Sequence, residues 1–498
     1  MQRRFLLAIV LLTTGFCLSQ TKKTPAGQTQ QPPSKDESPF PVDNSQSPQD
    51  QAPQQEAPPL PPKRTGPPPT NAECMDCHAK TKPQIVTEWK QSKHSQVNVG
   101  CIDCHGDEHS SAQDAVYVKL GRSQICAKCH QAQVDQDRSG KHSRALGAMK
   151  TMPNGHWRSA GRAMPVGGGE TCTNCHRTGS PHLFRDLPYD RYGGIEAHAL
   201  EWGAGACSSC HSRHTFSVQE AKQPQACEFC HSGPDADQWG MYSSSQHGIL
   251  FDLKQRGLLP ADTPVPTCQT CHMPNGDHHV RTAWGFRGIA LPMPDDKQWA
   301  DDLTDQFKAL NIIGLDGKDA QLMSTIRGTD LIRSTKEDWQ GERDKMIKTC
   351  TQCHTEAYAK QEMENGDNII KNADHLLAEA IRIVSDLYKD KVLNAPLSNH
   401  EFAWLTRFDA PPTAIEQTLD KMYQIDRMRT FQGAFHSSPK YAIAQGLVQM
   451  QKDLDNIKEM AEQLRRQHPS SGAHPAAKPT AKPTAAKPDA KDPKPGWQ

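Results

Sequence analysis

The sequence predicts a mainly α-helical protein, with a loop-rich region over most of its length and long helices towards the C-terminus. Two observations support this fold class. Intervals rich in Gly, Pro and Ser separate eight copies of a short Cys/His motif between residues 74 and 354. Apolar residues from Ile369 to Leu387 then recur at the spacing of one helix face.

The repeated motif is C-x-x-C-H, and its eight copies use 16 of the 17 cysteines. Chance predicts about 0.03 copies in a chain of this composition. The motif is the attachment signature of c-type haem, in which two thiols bond to one porphyrin and the His ligates the iron. Structural zinc is the alternative for C-x-x-C pairs, but the adjacent His would be badly placed in a tetrahedral site.

We therefore expect eight covalently bound c-type haems, which makes the predicted fold that of a multihaem cytochrome c. The expected attachment residues are Cys74, Cys77, Cys101, Cys104, Cys126, Cys129, Cys172, Cys175, Cys207, Cys210, Cys227, Cys230, Cys268, Cys271, Cys350 and Cys353. The expected proximal iron ligands are His78, His105, His130, His176, His211, His231, His272 and His354. Apolar porphyrins would also enlarge the core of a chain that is only 35% hydrophobic.

The second axial ligand decides whether a haem iron only carries electrons or also binds substrate. Of 23 histidines, 15 lie outside the motifs. Some lie among small residues and others lie near attachment sites, and on these grounds the predicted distal ligands are His94, His109, His142, His156, His214, His247 and His279. The number of histidines does not show which iron is open.

Residues 1–19 have the pattern of an export signal, with two arginines before the apolar run Phe5–Leu12. That run is too short to span a bilayer, so cleavage is favoured over a membrane anchor. Lipid attachment at Cys17 is a further alternative. Export to the periplasm agrees with the motif count, because c-type haem is attached outside the cytoplasm.

Residues 20–70 read as a Pro/Gln-rich disordered linker, and residues 467–498 as an Ala/Lys/Pro-rich disordered tail. Residues 71–360 are predicted to form the octahaem domain, because motifs that begin 20 to 82 residues apart suit one compact unit better than a tandem array. Residues 361–466 are predicted to be a helical domain without haem, with further helices from about Thr413 and over about residues 440–466. Lys and Arg balance Asp and Glu at 57 each, so charge does not favour a nucleic-acid partner.

The residues that follow three motifs resemble a known family. Cys207–His211 continues as Ser-Arg-His-Thr-Phe-Ser, and Cys227–His231 as Ser-Gly-Pro-Asp and later Ser-Gln-His-Gly. Cys268–His272 continues as Met-Pro-Asn-Gly-Asp-His-His-Val. This succession resembles the octahaem cytochromes c of the hydroxylamine oxidoreductase type, which are related to pentahaem nitrite reductases, over about residues 71–466.

The resemblance implies seven haems with two His ligands each and one five-coordinate haem. The reactive haem would be the fourth, held by Cys172 and Cys175 with His176 as its proximal ligand. Asp235 would lie on its distal side and relay protons. Homotrimers that associate through the C-terminal helices are also implied.

Two departures from the oxidising members favour reduction. Those members carry Asp-His where this chain has Asp235 followed by Ala236, and they bond a C-terminal Tyr of a neighbouring subunit to the haem. Phe431 and Phe435 are candidates for the position of that Tyr. The favoured function is reduction of nitrite or hydroxylamine toward ammonia, and the alternatives are hydroxylamine oxidation and electron transfer without catalysis. The expected partners are a small inorganic nitrogen compound and a redox partner, either a cytochrome c or a quinol-oxidising membrane protein.

Overall fold

A computed structural model describes residues 61–119, 123–144, 207–233, 237–282, 292–320, 323, 335–396, 401–406 and 411–468. The predicted signal peptide, the tail from residue 469, the fourth motif and Asp235 lie outside these ranges. The described chain is helical and contains no strand, and Ile313 and Asp319 form an isolated β-bridge. The predicted mainly α fold class is therefore confirmed. None of the described helices is long and apolar enough to cross a membrane.

The described α-helices are numbered here in chain order. They are α1 Asn71–Thr81, α2 Pro83–Gln91, α3 Lys93–Gln96, α4 Cys101–His105, α5 Ser123–Ser139, α6 Val218–Ala221, α7 Gln225–Glu228, α8 Gln238–Ser244, α9 Gln246–Gln255, α10 Cys268–His272, α11 Lys297–Ala309, α12 Lys336–Cys350, α13 Glu356–Lys389, α14 Ala414–Lys421, α15 Met428–Phe435 and α16 Val448–Gln467. Two π-helical turns, Met422–Arg427 and Ala442–Leu447, precede α15 and α16.

Several motifs form helical turns themselves. Helices α4 and α10 coincide with the motifs at Cys101–His105 and Cys268–His272, and α1 contains the first motif. Residues three apart in a helix lie on the same face, so this conformation places both thiols of a motif on one side. In α1 the Thr70 side chain accepts from the Glu73 backbone N–H and Glu73 caps Thr70 in return, which fixes the start of the helix.

The predicted helix around residues 369–387 is confirmed as α13, which extends over 34 residues. One face of α13 is buried from Ile370 to Tyr388 and packs against α11, α15 and α16. Helix α14 begins after Thr413, where the two preceding prolines and a Thr413–Glu416 capping box agree with the predicted start. The main hydrophobic core lies among these C-terminal helices and α11, a helix that the sequence analysis did not single out.

The expected boundary at residue 360 is not a break in the chain. Helix α13 starts at Glu356, two residues after the eighth motif, and runs through residue 360 without interruption. The described residues from Pro62 onward belong to one compact unit. The C-terminal helices therefore continue directly from the last motif.

Side-chain burial is uneven along the chain. Among the described residues up to Thr282, the buried hydrophobic side chains are Val86, Val134, Met241 and Phe251, whereas the rest of the buried hydrophobic residues follow from Leu303 onward. The motif-bearing segments thus have little apolar side-chain core of their own, which agrees with a core completed by porphyrin.

A buried ion pair fixes α13 against the π-helical turn Met422–Arg427 that precedes α15. Asp374 is fully buried, and its Oδ1 accepts from Arg427 Nε at 2.9 Å and Nη2 at 2.7 Å. Its Oδ2 accepts from Trp299 Nε1 of α11 at 2.9 Å. One carboxylate therefore joins three elements of the core.

We predict that Asp374→Ala destabilises the protein by about 3–5 kcal/mol, because it leaves the buried Arg427 charge without its partner. Asp386→Ala on the exposed side of the same helix should cost less than about 1 kcal/mol. Denaturant titration of both holoproteins, followed by far-ultraviolet circular dichroism, measures the difference. Equal midpoints would show that the ion pair contributes nothing to stability.

Candidate haem-binding sites

Each described C-x-x-C-H histidine lies opposite one other histidine. The ring centroids of the seven pairs are 6.0 to 6.4 Å apart, while the angles between the ring planes range from 18° to 69°. The pairs are His78–His109, His105–His214, His130–His94, His211–His278, His231–His142, His272–His436 and His354–His247.

A constant distance combined with variable angles is what ligation of one iron requires. A metal–imidazole bond of about 2.0 Å on each side, with about 1.2 Å from ring nitrogen to centroid, gives a separation of about 6.4 Å. Rotation of either ring about its bond to the metal changes the angle between the planes but not this distance. Direct aromatic stacking would not hold seven separations within such a narrow range. The donor set and spacing therefore fit a bis-imidazole haem between the rings of each pair.

Five of the predicted distal histidines lie in these pairs. They are His94, His109, His142, His214 and His247. His156 and the fourth motif lie outside the described residues.

His278, and not the predicted His279, lies opposite His211. Local hydrogen bonds explain why His279 does not face His211. The Asp277 carboxylate accepts from both the backbone N–H and the ring Nδ1 of His279 and so holds that ring next to Asp277. Asp277 also accepts from Arg281 Nε at 2.7 Å. The adjacent His278 is left to face the motif, and His278 therefore replaces His279 in the set of candidate ligands.

His436 is a candidate ligand that the sequence analysis missed. It follows α15, in the section that was expected to be free of haem, and lies 6.1 Å from His272 between ring centroids. Its Nδ1 lies 2.6 Å from the Gln432 carbonyl oxygen. A helix that ends at a lone His carries no local sign of ligation, so only the tertiary contact reveals this residue.

The second ring nitrogen is held by a hydrogen-bond acceptor in several pairs. Nδ1 lies 2.7 to 2.9 Å from a backbone carbonyl oxygen in His105, His272 and His278, and 3.1 Å from the Gln238 side-chain oxygen in His231. A carbonyl oxygen only accepts, so Nδ1 carries the proton in these rings. Nε2 of these rings is then unprotonated, so its lone pair is suited to bind a metal, an arrangement typical of metal-ligating histidines.

Burial favours the neutral form of two paired rings, His142 and His436. It lowers the pKa of His142 and of His436 to about 4, and the partner rings His231 and His272 act in the same direction. A neutral imidazole retains the lone pair that a metal needs. Within the ranges that the structure covers, no group of three or more His, Cys, Asp or Glu is arranged to hold a metal ion, so the zinc alternative gains no support there.

The attachment cysteines come together between motifs. Cysteine side chains of different motifs lie next to each other in three pairs: Cys74 with Cys101, Cys126 with Cys207, and Cys227 with Cys268. Porphyrins attached at such adjacent sulfurs would lie next to each other. The structure therefore supports closely packed haems.

The residues around Asp235 are partly described. Asp237 caps α8 through a hydrogen bond from the Gly240 N–H at 3.0 Å, and its Oδ2 accepts from the Tyr441 hydroxyl at 2.7 Å. Residues 234–236 themselves lie outside the described ranges. The chain on their C-terminal side is thus anchored to the C-terminal section.

Three sequence families match the chain. Residues 196–308 and 327–400 match the family described as seven times multi-haem cytochrome CxxCH, and residues 94–135 match a doubled CXXCH motif. Residues 45–106 and 125–212 match cytochrome c554 and c-prime. The chain is a multihaem c-type cytochrome.

Relatives of the cytochrome bear out the resemblance drawn from its motifs. It is 24% identical over 479 residues to a probable nitrite reductase-hydroxylamine oxidoreductase fusion protein of Kuenenia stuttgartiensis, covering 79% of this chain and 52% of the relative. The cytochrome thus spans about half the length of that protein. The fold is similar to a reducing HAO-like protein complex of the same organism, with a TM-score of 0.54, 21% identity and coverage of 80% and 85% of the two chains. A hypothetical multiheme protein gives a TM-score of 0.53 at 19% identity, with 81% and 97% covered.

We predict that His278→Ala converts one haem from low spin to high spin, because it removes one of two strong axial ligands. His279→Ala is the matched control and should leave the spin state unchanged. Low-temperature electron paramagnetic resonance of the oxidised holoproteins measures both. A new high-spin signal in the His279 variant, and none in the His278 variant, would reverse the assignment.

Proposed function

We propose that the cytochrome is an octahaem oxidoreductase that reduces nitrite or hydroxylamine toward ammonia. The observation that carries the proposal is the set of seven histidine pairs. They account for all seven motifs that the structure describes, and the family resemblance points to the fourth, Cys172–His176, as the candidate reactive site. The names of two relatives, which include nitrite reductase and reducing HAO-like protein, support the same class of chemistry.

In this proposal, seven histidine pairs serve electron storage and the fourth motif serves substrate conversion. Haem iron, when bound, would carry the electrons and provide the site at which the nitrogen compound binds. Paired histidines on an iron exclude substrate from it, so the seven pairs make seven carriers. His176 alone on the fourth iron would leave the opposite side open to nitrite or hydroxylamine.

Proton delivery at the fourth haem is assigned to Asp235. Each electron added to a nitrogen oxide must be matched by a proton if hydroxide or amide anions are not to accumulate. A carboxyl group beside the substrate can hold and release such a proton. The Asp237–Tyr441 and Asp237–Gly240 hydrogen bonds restrain the chain two residues further on.

Ala236 supports reduction over oxidation, because the Asp-His pair of the oxidising members would add a base that deprotonates hydroxylamine. The aromatic residues of the C-terminal section add a structural argument. Phe431 and Tyr423 are buried in the helical core, at 4% and 0% exposure, so neither can present its ring to a neighbouring subunit. Tyr441 instead donates to Asp237 of its own chain. Phe435 packs edge-on against Phe431 at 5.2 Å between ring centroids.

The remaining assignments follow from the same proposal. Electrons would come from a redox partner protein, a cytochrome c or a quinol-oxidising membrane protein, in the periplasm. Three copies would associate through the C-terminal helices, and a lipid at Cys17 would tether the assembly to a membrane.

We predict that Asp235→Asn lowers kcat for nitrite reduction by about 100-fold or more, because it removes a general acid. Asp252→Asn, an exposed carboxylate on α9, should leave kcat unchanged. Steady-state assays with a chemical reductant measure both variants, and the same enzyme is assayed for hydroxylamine oxidation with an electron acceptor. Brisk oxidation with poor reduction would contradict the proposed direction, and absence of both activities would favour the pure electron carrier.

A further inference from the structure

One of the paired histidines has a carboxylate as its hydrogen-bond partner. Asp114 Oδ1 lies 2.9 Å from Nδ1 of His109, the ring opposite His78. Asp114 is 6% exposed and lies in the short 3-10 helix Ala112–Tyr117. It is held in place by the backbone N–H groups of Ser110 at 3.0 Å and Ser111 at 2.9 Å, both of which donate to the same oxygen.

The other paired rings whose Nδ1 contacts are described have neutral acceptors. Backbone carbonyl oxygens accept from His105, His272, His278 and His436, and the Gln238 amide oxygen accepts from His231. Glu88 Oε2 is 3.8 Å from His214 Nδ1, which is beyond hydrogen-bond distance. Within the described ranges, Asp114 is the one carboxylate found within that distance of a paired ring.

A carboxylate accepts more strongly than a carbonyl and pulls the Nδ1 proton away from the ring. The imidazole then donates more electron density through Nε2 to the metal. A negative charge in a buried position also acts through a low dielectric, which favours the more positive oxidation state of the iron. Both effects stabilise ferric iron and lower the reduction potential.

We propose that Asp114 is a positioning residue that orients His109 and lowers the reduction potential of the haem between His78 and His109. The inference rests on the ligation that is part of the proposed function. It goes further because it gives the first haem a ligand bonded to a carboxylate, which no other described pair has within hydrogen-bond distance. The sulfur atoms of Cys74 and Cys101 are in contact, so an electron on this haem has the second haem as an immediate acceptor. A low reduction potential thus suits the first haem to pass electrons to the second haem rather than to store them.

Asp114→Asn tests the proposal in the holoprotein. Asn keeps the shape and an acceptor for the turn but removes the charge, so the potential of one low-spin haem should rise while the others stay in place. Asp76→Asn is the matched control, because Asp76 is an exposed carboxylate in the first motif and makes no described hydrogen bond to a paired ring. A potentiometric titration followed by electron paramagnetic resonance gives the individual midpoints, and the resonance that His109→Ala removes identifies the first haem.

The reciprocal substitution tests the same physics at another haem. Gln238→Glu places a carboxylate against His231 and should lower the potential of the haem between His231 and His142. The Gln238→Glu variant tests the effect of a carboxylate on the reduction potential even if Asp114→Asn fails to give holoprotein. An unchanged potential in both variants, or equal shifts in Asp114→Asn and Asp76→Asn, would overturn the inference while the low-spin signals persist. If His109→Ala removes none of the low-spin signals, that result would instead contradict the proposed ligation of the first haem by His109.

Discussion

The separation of about 6 Å between paired imidazole rings is the constraint on which the rest of the structure depends. Each pair joins segments that are far apart in the chain, as His105 joins His214 and His272 joins His436. The motif-bearing segments bury few apolar side chains, so these cross-connections replace the ordinary core there. An iron coordinated by both rings of a pair would cross-link the two segments that carry them.

The same constraint removes the distinction between a haem domain and a helical domain. The C-terminal helices carry their own hydrophobic core, which is stabilised by the buried Asp374–Arg427 pair. They nevertheless provide His436 to the seventh motif and Tyr441 to the segment beside Asp235. Removal of these helices would therefore delete a candidate ligand as well as the proposed oligomer contacts.

Local chemistry decided what could be predicted from the sequence. The motifs and the helix through Ile369–Leu387 were predictable, because the spacing of cysteines and of apolar residues is a local property. Thr413 was predictable for the same reason, as a cap after two prolines. The choice between His278 and His279 was not, because it depends on how Asp277 holds one ring, and His436 became a candidate only through a contact 164 residues away in sequence. The boundary expected at residue 360 stays a prediction, and α13, which starts directly after the last motif, runs across it.

The central claim is that seven irons are saturated by paired histidines and one is open. Quantitative spin counting by electron paramagnetic resonance of the oxidised holoprotein, together with total haem from a pyridine haemochrome titration, tests it most directly. The account predicts eight haems from the eight motifs, seven of them low-spin from the seven described pairs and the fourth high-spin from the family resemblance. Eight low-spin haems and no high-spin signal would contradict the open site, and several high-spin haems would contradict the pairing.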